Sequence, residues 1–281
     1  MDTNIKLFTD SAADLPAEYK AKYEIEVVPL SVIFGTEEFK DQVTLSVEQF
    51  WQRMSHSRQL PSTNQVNPHD FVEAFRPFLA RAYTILYVGL SSRLSGTLQS
   101  AVIAKELLKS ESIHVFDSRS ASIGETLLLL RAAELVEAGC SVREILPQLG
   151  KQRKQSFAHF TIDSLTHLVR GGRLTKTQGF LGSMLNIRPI LHITPEGTIE
   201  PSEKVRSTKK ALQTIVRKAQ EHHIDFSNKR VAVMHTYGAD TMVDQLMELV
   251  QEYLAPKEVI QGLIGPTIGA HTGPGGIALF F

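Results

Sequence analysis

The sequence predicts an α/β protein of two domains, and three observations lead to this prediction. Strand patterns alternate with helix patterns over residues 1–155, which predicts a doubly wound, mainly parallel sheet with helices on both faces. The order then changes, and a hairpin signal at Pro195-Glu-Gly197 favours an α+β domain over residues 156–281. Hydrophobic residues make up 42% of the chain and charged residues 21%, which is ordinary for a globular protein with a substantial core.

The predicted strands of the first domain are short apolar or β-branched runs that end in turn or capping residues. The predicted helices begin at capping signals such as Ser46-Val-Glu-Gln49 and Asn67-Pro68. Residues 60–66 are predicted to form a polar loop. We predict strands over residues 5–9, 24–34, 84–89 and 113–116, and helices over residues 15–23, 46–56, 68–81, 94–108, 121–138 and 142–153.

The second domain is predicted to hold further strands and helices and to close with a glycine-rich segment. Five glycines between residues 265 and 276 surround His271, so we expect its imidazole on a backbone that can bend towards a ligand. We predict strands over residues 157–162, 187–194, 198–205, 230–235, 258–264 and up to 281, and helices over residues 163–169, 174–185, 207–222 and 239–253.

Charge and composition exclude several classes of function. Thirty basic and thirty acidic residues cancel, which argues against nucleic acid as a partner. No apolar run approaches the roughly 20 residues that span a bilayer, and the N-terminus lacks a basic region followed by an apolar core. Cys140 is the single cysteine and the ten histidines are scattered, so we expect no disulfide and no metal site. We expect a cytoplasmic protein without membrane insertion.

The common catalytic and nucleotide-binding signatures are missing. The chain contains neither a G-x-x-x-x-G-K-[ST] phosphate loop nor a G-x-G-x-x-G dinucleotide fingerprint. A G-x-S-x-G nucleophile elbow and an H-E-x-x-H zinc helix are also missing. Nucleotide binding by either common loop is therefore unsupported.

Two hydroxyl-rich segments are candidates for binding an anion. Residues 89–97 join a predicted strand to a helix and carry Ser91, Ser92, Ser95 and Thr97, which could cap the helix or cradle a phosphate or carboxylate. Ser62-Thr63 is either an ordinary turn or part of the same site. Parallel sheets bind ligands beyond the carboxyl ends of their strands, which is where both segments are predicted to lie.

Other candidates come from the second domain. His271 could donate to a carboxylate or assist phosphoryl transfer, and Arg170, Arg173 and Arg206 could pair with an anion because guanidinium groups match carboxylates and phosphates. An apolar stretch around residues 179–187 could be ordinary core or the lining of an apolar tunnel. Its candidate lining residues are Phe180, Leu181, Met184 and Leu185.

Several short motifs follow one another along essentially the whole chain. They are Phe8-Thr-Asp-Ser11, Val28-Pro-Leu-Ser31, Ser91-Ser-Arg-Leu-Ser-Gly-Thr97, Val115-Phe-Asp-Ser118, Leu168-Val-Arg-Gly-Gly-Arg-Leu174, Lys204-Val-Arg206 and His271 with its glycines. In this order they resemble the DegV family, whose members look like the fatty-acid-binding B subunits of bacterial fatty-acid kinase.

The resemblance implies a long-chain fatty acid as ligand, without a cofactor, in a tunnel between the two domains. Its carboxylate would be held by Thr63, Ser95 and His271. The family motif T-S-Q-P reads Thr63-Asn-Gln-Val66 here, so either Ser62 or Thr63 could make the contact.

The resemblance further implies that the chain is a lipid carrier rather than an enzyme by itself. It would present the carboxylate to a separate ATP-dependent kinase subunit for acyl-phosphate formation. His271 and Arg206 would support the phosphoryl transfer. The alternative is a self-sufficient hydrolase or phosphotransferase that uses the hydroxyl loops and His271.

Overall fold

A computed structural model describes residues 4–57, 59–174 and 187–281 of the chain. The strands are β1 Ile5–Asp10, β2 Glu26–Val28, β3 Ser31–Phe34, β4 Glu37–Lys40, β5 Ser62–Asn64, β6 Thr84–Gly89, β7 Ile113–Asp117, β8 Ala158–Thr161, β9 Arg188–Ile193, β10 Ile199–Val205, β11 Arg230–His235, β12 Glu258–Leu263 and β13 Ile277–Phe280. The helices are α1 Ala17–Lys22, α2 Val47–His56, α3 Pro68–Leu79, α4 Thr97–Leu108, α5 Ile123–Glu137, α6 Val142–Arg153, α7 Thr166–Arg170, α8 Thr208–Gln220, α9 Asp240–Tyr253 and α10 Pro266–Thr272.

The first half of the chain contains the predicted parallel sheet. Its four strands lie in the order β2-β1-β6-β7, and every pair is parallel. Alternate residues of a strand point to opposite faces of the sheet. Phe8 and Tyr87 accordingly pack in one apolar cluster with side chains of α3 and α4. Leu7 and Leu86 pack in another with side chains of α5 and α6. The sheet is therefore covered on both faces, as expected for a parallel sheet.

The second half contains a six-stranded mixed sheet in the order β10-β9-β8-β13-β11-β12. Only β11 and β12 pair in parallel, and the other neighbours are antiparallel. Side chains of α8 and α9 pack with this sheet in one apolar cluster. Another cluster includes side chains from both sheets, such as Phe8 and Phe280. The domain boundary near residue 156 stays a prediction.

A small antiparallel sheet, β4-β3-β5, corrects two predictions made for the first half. The strand predicted over residues 24–34 is interrupted at Pro29, which has no N–H for a sheet ladder. Its two halves, β2 and β3, belong to different sheets. The segment predicted as a polar loop contains β5, in which Thr63 pairs with Val32 of β3. Helix α4 starts at Thr97, three residues later than predicted.

The glycine-rich segment near the C-terminus was wrongly predicted as a bending loop, because it contains helix α10. Pro266 begins the helix, where its fixed φ angle fits and its missing N–H costs nothing. Gly269 serves close packing rather than bending, since a Cβ atom there would lie 2.7 Å from the Phe50 ring and 2.8 Å from the Trp51 ring. His271 therefore lies on a packed helix.

Two further points concern the extent of the fold. Apart from Leu174, the helix predicted over residues 174–185 lies outside the described residues. Within the described ranges, no helix combines the length and the apolar character needed to cross a bilayer.

Candidate functional site

A cavity of about 240 Å³ lies where the parallel sheet, the small sheet and α10 meet. Its wall combines seven apolar residues with eight polar ones, so apolar surface and hydrogen-bonding groups face the same space. The apolar lining residues are Leu30, Leu90, Leu94, Ala121, Leu168, Ile199 and Ile268. The polar lining residues are Thr63, Asn64, Gln65, Ser95, Arg173, Thr267, His271 and Thr272.

Thr63 and His271 meet at this cavity although 208 positions separate them in the chain. The Thr63 Oγ1 atom lies 2.8 Å from Nε2 of His271, so the two side chains share a hydrogen bond. Ser62, the neighbouring candidate, is exposed and does not line the cavity.

His271 is held as a neutral imidazole. Burial, followed by the positive charge of Arg173, lowers its pKa to about 4. At neutral pH one ring nitrogen therefore carries a hydrogen and the other carries a lone pair. The ring also packs closely on Gly171, where a Cβ atom would lie 2.4 Å from the His271 Nδ1 atom. The glycine at position 171 thus makes room for the imidazole.

Ser95 lies in the turn between β6 and α4, and a network of hydrogen bonds ties that turn to the segment that carries Thr63. The Thr97 N–H donates to Ser95 Oγ over 3.2 Å, and the two hydroxyl oxygens lie 3.0 Å apart. Thr97 Oγ1 also accepts a hydrogen bond from the Val66 N–H over 3.3 Å. The two hydroxyl-rich segments therefore form one site, and Thr97 links them.

The other two hydroxyls of the 89–97 segment have structural partners. Ser91 donates to the carbonyl oxygen of Gly197 over 2.8 Å, and Ser92 donates to Asp117 over 2.6 Å. Neither residue lines the cavity. Ser91 and Ser92 therefore stabilise local structure without capping α4, whose N-terminus lacks a side-chain cap, and an anion-binding role for Ser95 stays a prediction.

Arg173 supplies the cavity with a positive charge. Its Nε atom donates to the carbonyl oxygen of Leu94 over 3.0 Å, and its Nη1 atom donates to the carbonyl oxygen of Gly171. These bonds hold the half-buried guanidinium at the cavity wall. In the sequence Arg173 was one of three arginine candidates, and no pattern distinguished it. The other two, Arg170 and Arg206, are exposed and do not line the cavity.

The remaining predicted site residues are not among the described residues that line the cavity. Arg206 directly follows the last residue of β10. The predicted tunnel residues Phe180, Leu181, Met184 and Leu185 lie outside the described residues. Among the residues that the structure describes, no group of three His, Cys, Asp or Glu side chains could hold a metal ion.

Comparisons of sequence and structure place these features in a family. The family model described as "Uncharacterised protein, DegV family" matches residues 4–281. A DegV domain-containing protein of Caldanaerobacter subterraneus subsp. tengcongensis is 33% identical over 277 residues, which are 99% of this chain and 98% of that protein. Protein DegV of Bacillus subtilis is 32% identical over 278 residues, or 98% of each chain.

Solved structures agree with this placement. A DegV-family protein from Thermus thermophilus, described by its fatty-acid binding, has a TM-score of 0.90 at 32% identity and covers 99% of this chain and 98% of its own. DegV from Bacillus subtilis, described as a fatty acid binding protein, has a TM-score of 0.87 at 32% identity, with coverage of 99% and 98%. By sequence and by structure, the chain belongs to the DegV family.

Proposed function

We propose that this protein binds a long-chain fatty acid and that Thr63, Ser95 and His271 hold its carboxylate. The observation that carries the proposal is the cavity in which these donors meet an apolar wall. The fatty-acid binding described for the relatives from Thermus thermophilus and Bacillus subtilis supports the same ligand. We assign the contact to Thr63 rather than Ser62, because only Thr63 lines the cavity.

The chemistry of the cavity suits both ends of such a ligand. A buried carboxylate is costly unless several donors surround it, and the hydroxyls, the imidazole and the Arg173 guanidinium are donors of that kind. An acyl chain gains about 0.8 kcal/mol for each buried CH₂ group, so most of the affinity comes from the chain. We propose that the acyl chain continues along the apolar wall of the cavity into an interdomain tunnel.

We further propose that the protein presents this carboxylate to a separate ATP-dependent kinase subunit in the cytoplasm. The missing phosphate-binding motifs support a division of labour in which the partner binds ATP. The carboxylate would be the nucleophile, and His271 would steady the charge that develops on it. Arg206 is exposed outside the cavity, so its contribution would be made at the surface shared with the kinase. Purified protein loaded with fatty acid should yield acyl phosphate only when both the kinase subunit and ATP are added.

One observation favours a second candidate, a self-sufficient hydrolase or phosphotransferase. The hydroxyl–imidazole contact of Thr63 and His271 has the geometry of a nucleophile and its general base. The lowered pKa of His271, about 4, makes the imidazole a weak base. Turnover of an acyl ester or acyl phosphate by the isolated chain, abolished by His271→Ala, would establish this candidate in place of the carrier.

Mass spectrometry of lipid extracted from the purified protein tests the carrier directly. We expect a bound fatty acid, or stoichiometric uptake when one is added. The double variant Thr63→Val, Ser95→Ala should lose affinity roughly tenfold or more, since a hydrogen bond to a charged group contributes about 1.5–3 kcal/mol. Ser62→Ala, at an exposed residue that does not line the cavity, is the matched control and should bind normally. Wild-type protein that takes up no fatty acid would end the proposal.

A further inference from the structure

The helix that carries His271 is held at its N-terminus by carboxylates from distant parts of the chain. Asp14 accepts a hydrogen bond from the N–H of Gly265, the residue that caps α10, over 2.9 Å. Asp41 accepts from the N–H of Thr267 over 3.2 Å and also from the Thr267 hydroxyl. The helix lacks a side-chain cap from its own neighbouring residues. These carboxylates therefore satisfy N–H groups that an α-helix leaves unpaired.

Both carboxylates are buried against the start of α10, the helix that carries cavity-lining residues. Asp14 is 8% exposed and Asp41 is 1% exposed, so neither can exchange its partner freely for water. Thr267, which Asp41 binds, lines the same cavity as His271 and lies one helical turn before it. Loss of the Asp41 contact would leave the Thr267 N–H buried and unpaired, and such groups are costly.

Other contacts also hold α10 in place. Trp51 Nε1 donates to the carbonyl oxygen of Ile264 over 2.9 Å, just before the helix. The rings of Phe50 and Trp51 pack against Gly269 on the back of the helix. At the front, His271 contacts Thr63.

We propose that Asp41 and Asp14 are positioning residues for the fatty-acid site, because they fix the start of α10 and thereby set the imidazole of His271 against Thr63. This inference rests on the proposed function, since it concerns the same carboxylate-binding site. Neither aspartate lines the cavity. Both act through α10, and neither touches the ligand.

The charge state of the two aspartates decides which variant is the conservative one. Burial raises the pKa of Asp14 to about 7 and that of Asp41 to about 6, and the two carboxylates repel each other. Their neighbour Asp10 adds a further buried carboxylate. Below pH 6 both carboxyl groups are mostly protonated, so under those conditions a neutral side chain with an acceptor oxygen resembles the native group closely. Asparagine keeps that oxygen and the shape, whereas alanine removes both.

The test compares Asp41→Ala with Asp41→Asn in the full-length protein, with palmitate as the probe. We expect Asp41→Ala to lower the affinity for palmitate at least tenfold. The displaced imidazole of His271 would lose about one hydrogen bond to the charged carboxylate of the ligand. Asp41→Asn should restore most of the affinity. The NMR resonances of the His271 ring should shift in the alanine variant and keep nearly their native positions in the asparagine variant.

Val250→Ala is the control for general loss of stability. Val250 is fully buried in the apolar cluster with α9 and does not line the cavity. This variant should unfold more easily and yet bind palmitate with wild-type affinity. Asp14→Ala provides a second measurement of the same effect if Asp41→Ala does not fold.

The outcomes separate this inference from the proposed function. If wild-type protein binds palmitate and both alanine variants bind it equally well with unmoved His271 resonances, the positioning role is wrong. If Val250→Ala loses as much affinity as Asp41→Ala, the effect reflects stability alone and the inference is also wrong. If wild-type protein binds no palmitate, the proposed function fails, while the His271 resonances still report whether the aspartates position the ring.

Discussion

Gly171→Ala is expected to displace His271 without changing any group that binds the ligand. The new Cβ atom would lie 2.4 Å from the His271 Nδ1 atom, whereas ordinary contacts begin near 3.4 Å, so the ring must move by about 1 Å. The ring cannot move towards Thr63, because their polar atoms are already 2.8 Å apart. We expect the ring to turn instead, which would break its hydrogen bond to Thr63. The backbone at Gly171 has a φ of −70°, which alanine adopts readily.

The expected loss of affinity corresponds to the hydrogen bond that a displaced His271 no longer donates to the ligand carboxylate. A lost hydrogen bond to the ligand carboxylate costs about 1.5–3 kcal/mol, or roughly ten- to a hundredfold in affinity. Isothermal titration with palmitate measures this change, and Gly150→Ala is the control because a Cβ atom there meets nothing within 4 Å. The control should gain up to about 1 kcal/mol of stability from helix propensity and keep its affinity. Wild-type affinity in Gly171→Ala would refute the placement of His271 in the site.

Two further predictions concern titrating groups. The folded state keeps the proton of Asp14 up to about pH 7, whereas the unfolded chain releases it near pH 4, so this contribution to stability is complete at low pH and is lost as the pH rises through 7. Urea unfolding at several pH values should therefore show wild-type protein losing stability relative to Asp14→Asn by up to about 1.4 kcal/mol per pH unit between pH 5 and 6.5, and parallel curves would contradict the raised pKa. Arg173→Gln should raise the pKa of His271 above about 4 but leave it below its ordinary value, because burial remains the larger cause of the shift. An NMR titration of the His271 ring measures this pKa, and an unchanged value would remove Arg173 from the surroundings of His271.

The fold can be predicted from the sequence where the local hydrophobic pattern and the tertiary environment agree. The apolar run that forms β6 is buried along its whole length, as a strand covered on both faces must be. Strand β5 was missed because it is three polar residues long and forms only by pairing with β3. Helix α10 was missed because its glycines indicated a loop, although Pro266 after Gly265 was a readable start signal.

The site can be predicted from the sequence only in part, because long-range contacts bring its residues together. Ser95 and His271 were identifiable as candidates, but their shared cavity depends on strand pairing and helix packing that span the whole chain. Residue type does not distinguish Arg173 from Arg170, which lies three positions earlier. Only the folded structure shows that Arg173 lines the cavity and Arg170 does not. The contributions of Asp14 and Asp41 depend entirely on long-range contacts to Gly265 and Thr267.

A crystal structure of the protein with bound palmitate would show which residues hold the carboxylate. We expect its oxygens within hydrogen-bonding distance of Thr63, Ser95 and His271, with the acyl chain leaving along the apolar wall of the cavity. A basic cleft of about 550 Å³ that includes Lys151, Lys229 and Lys257 is the competing location for an anionic headgroup. Palmitate bound in that cleft, with the cavity beside His271 unoccupied, would show that Thr63, Ser95 and His271 do not hold the carboxylate.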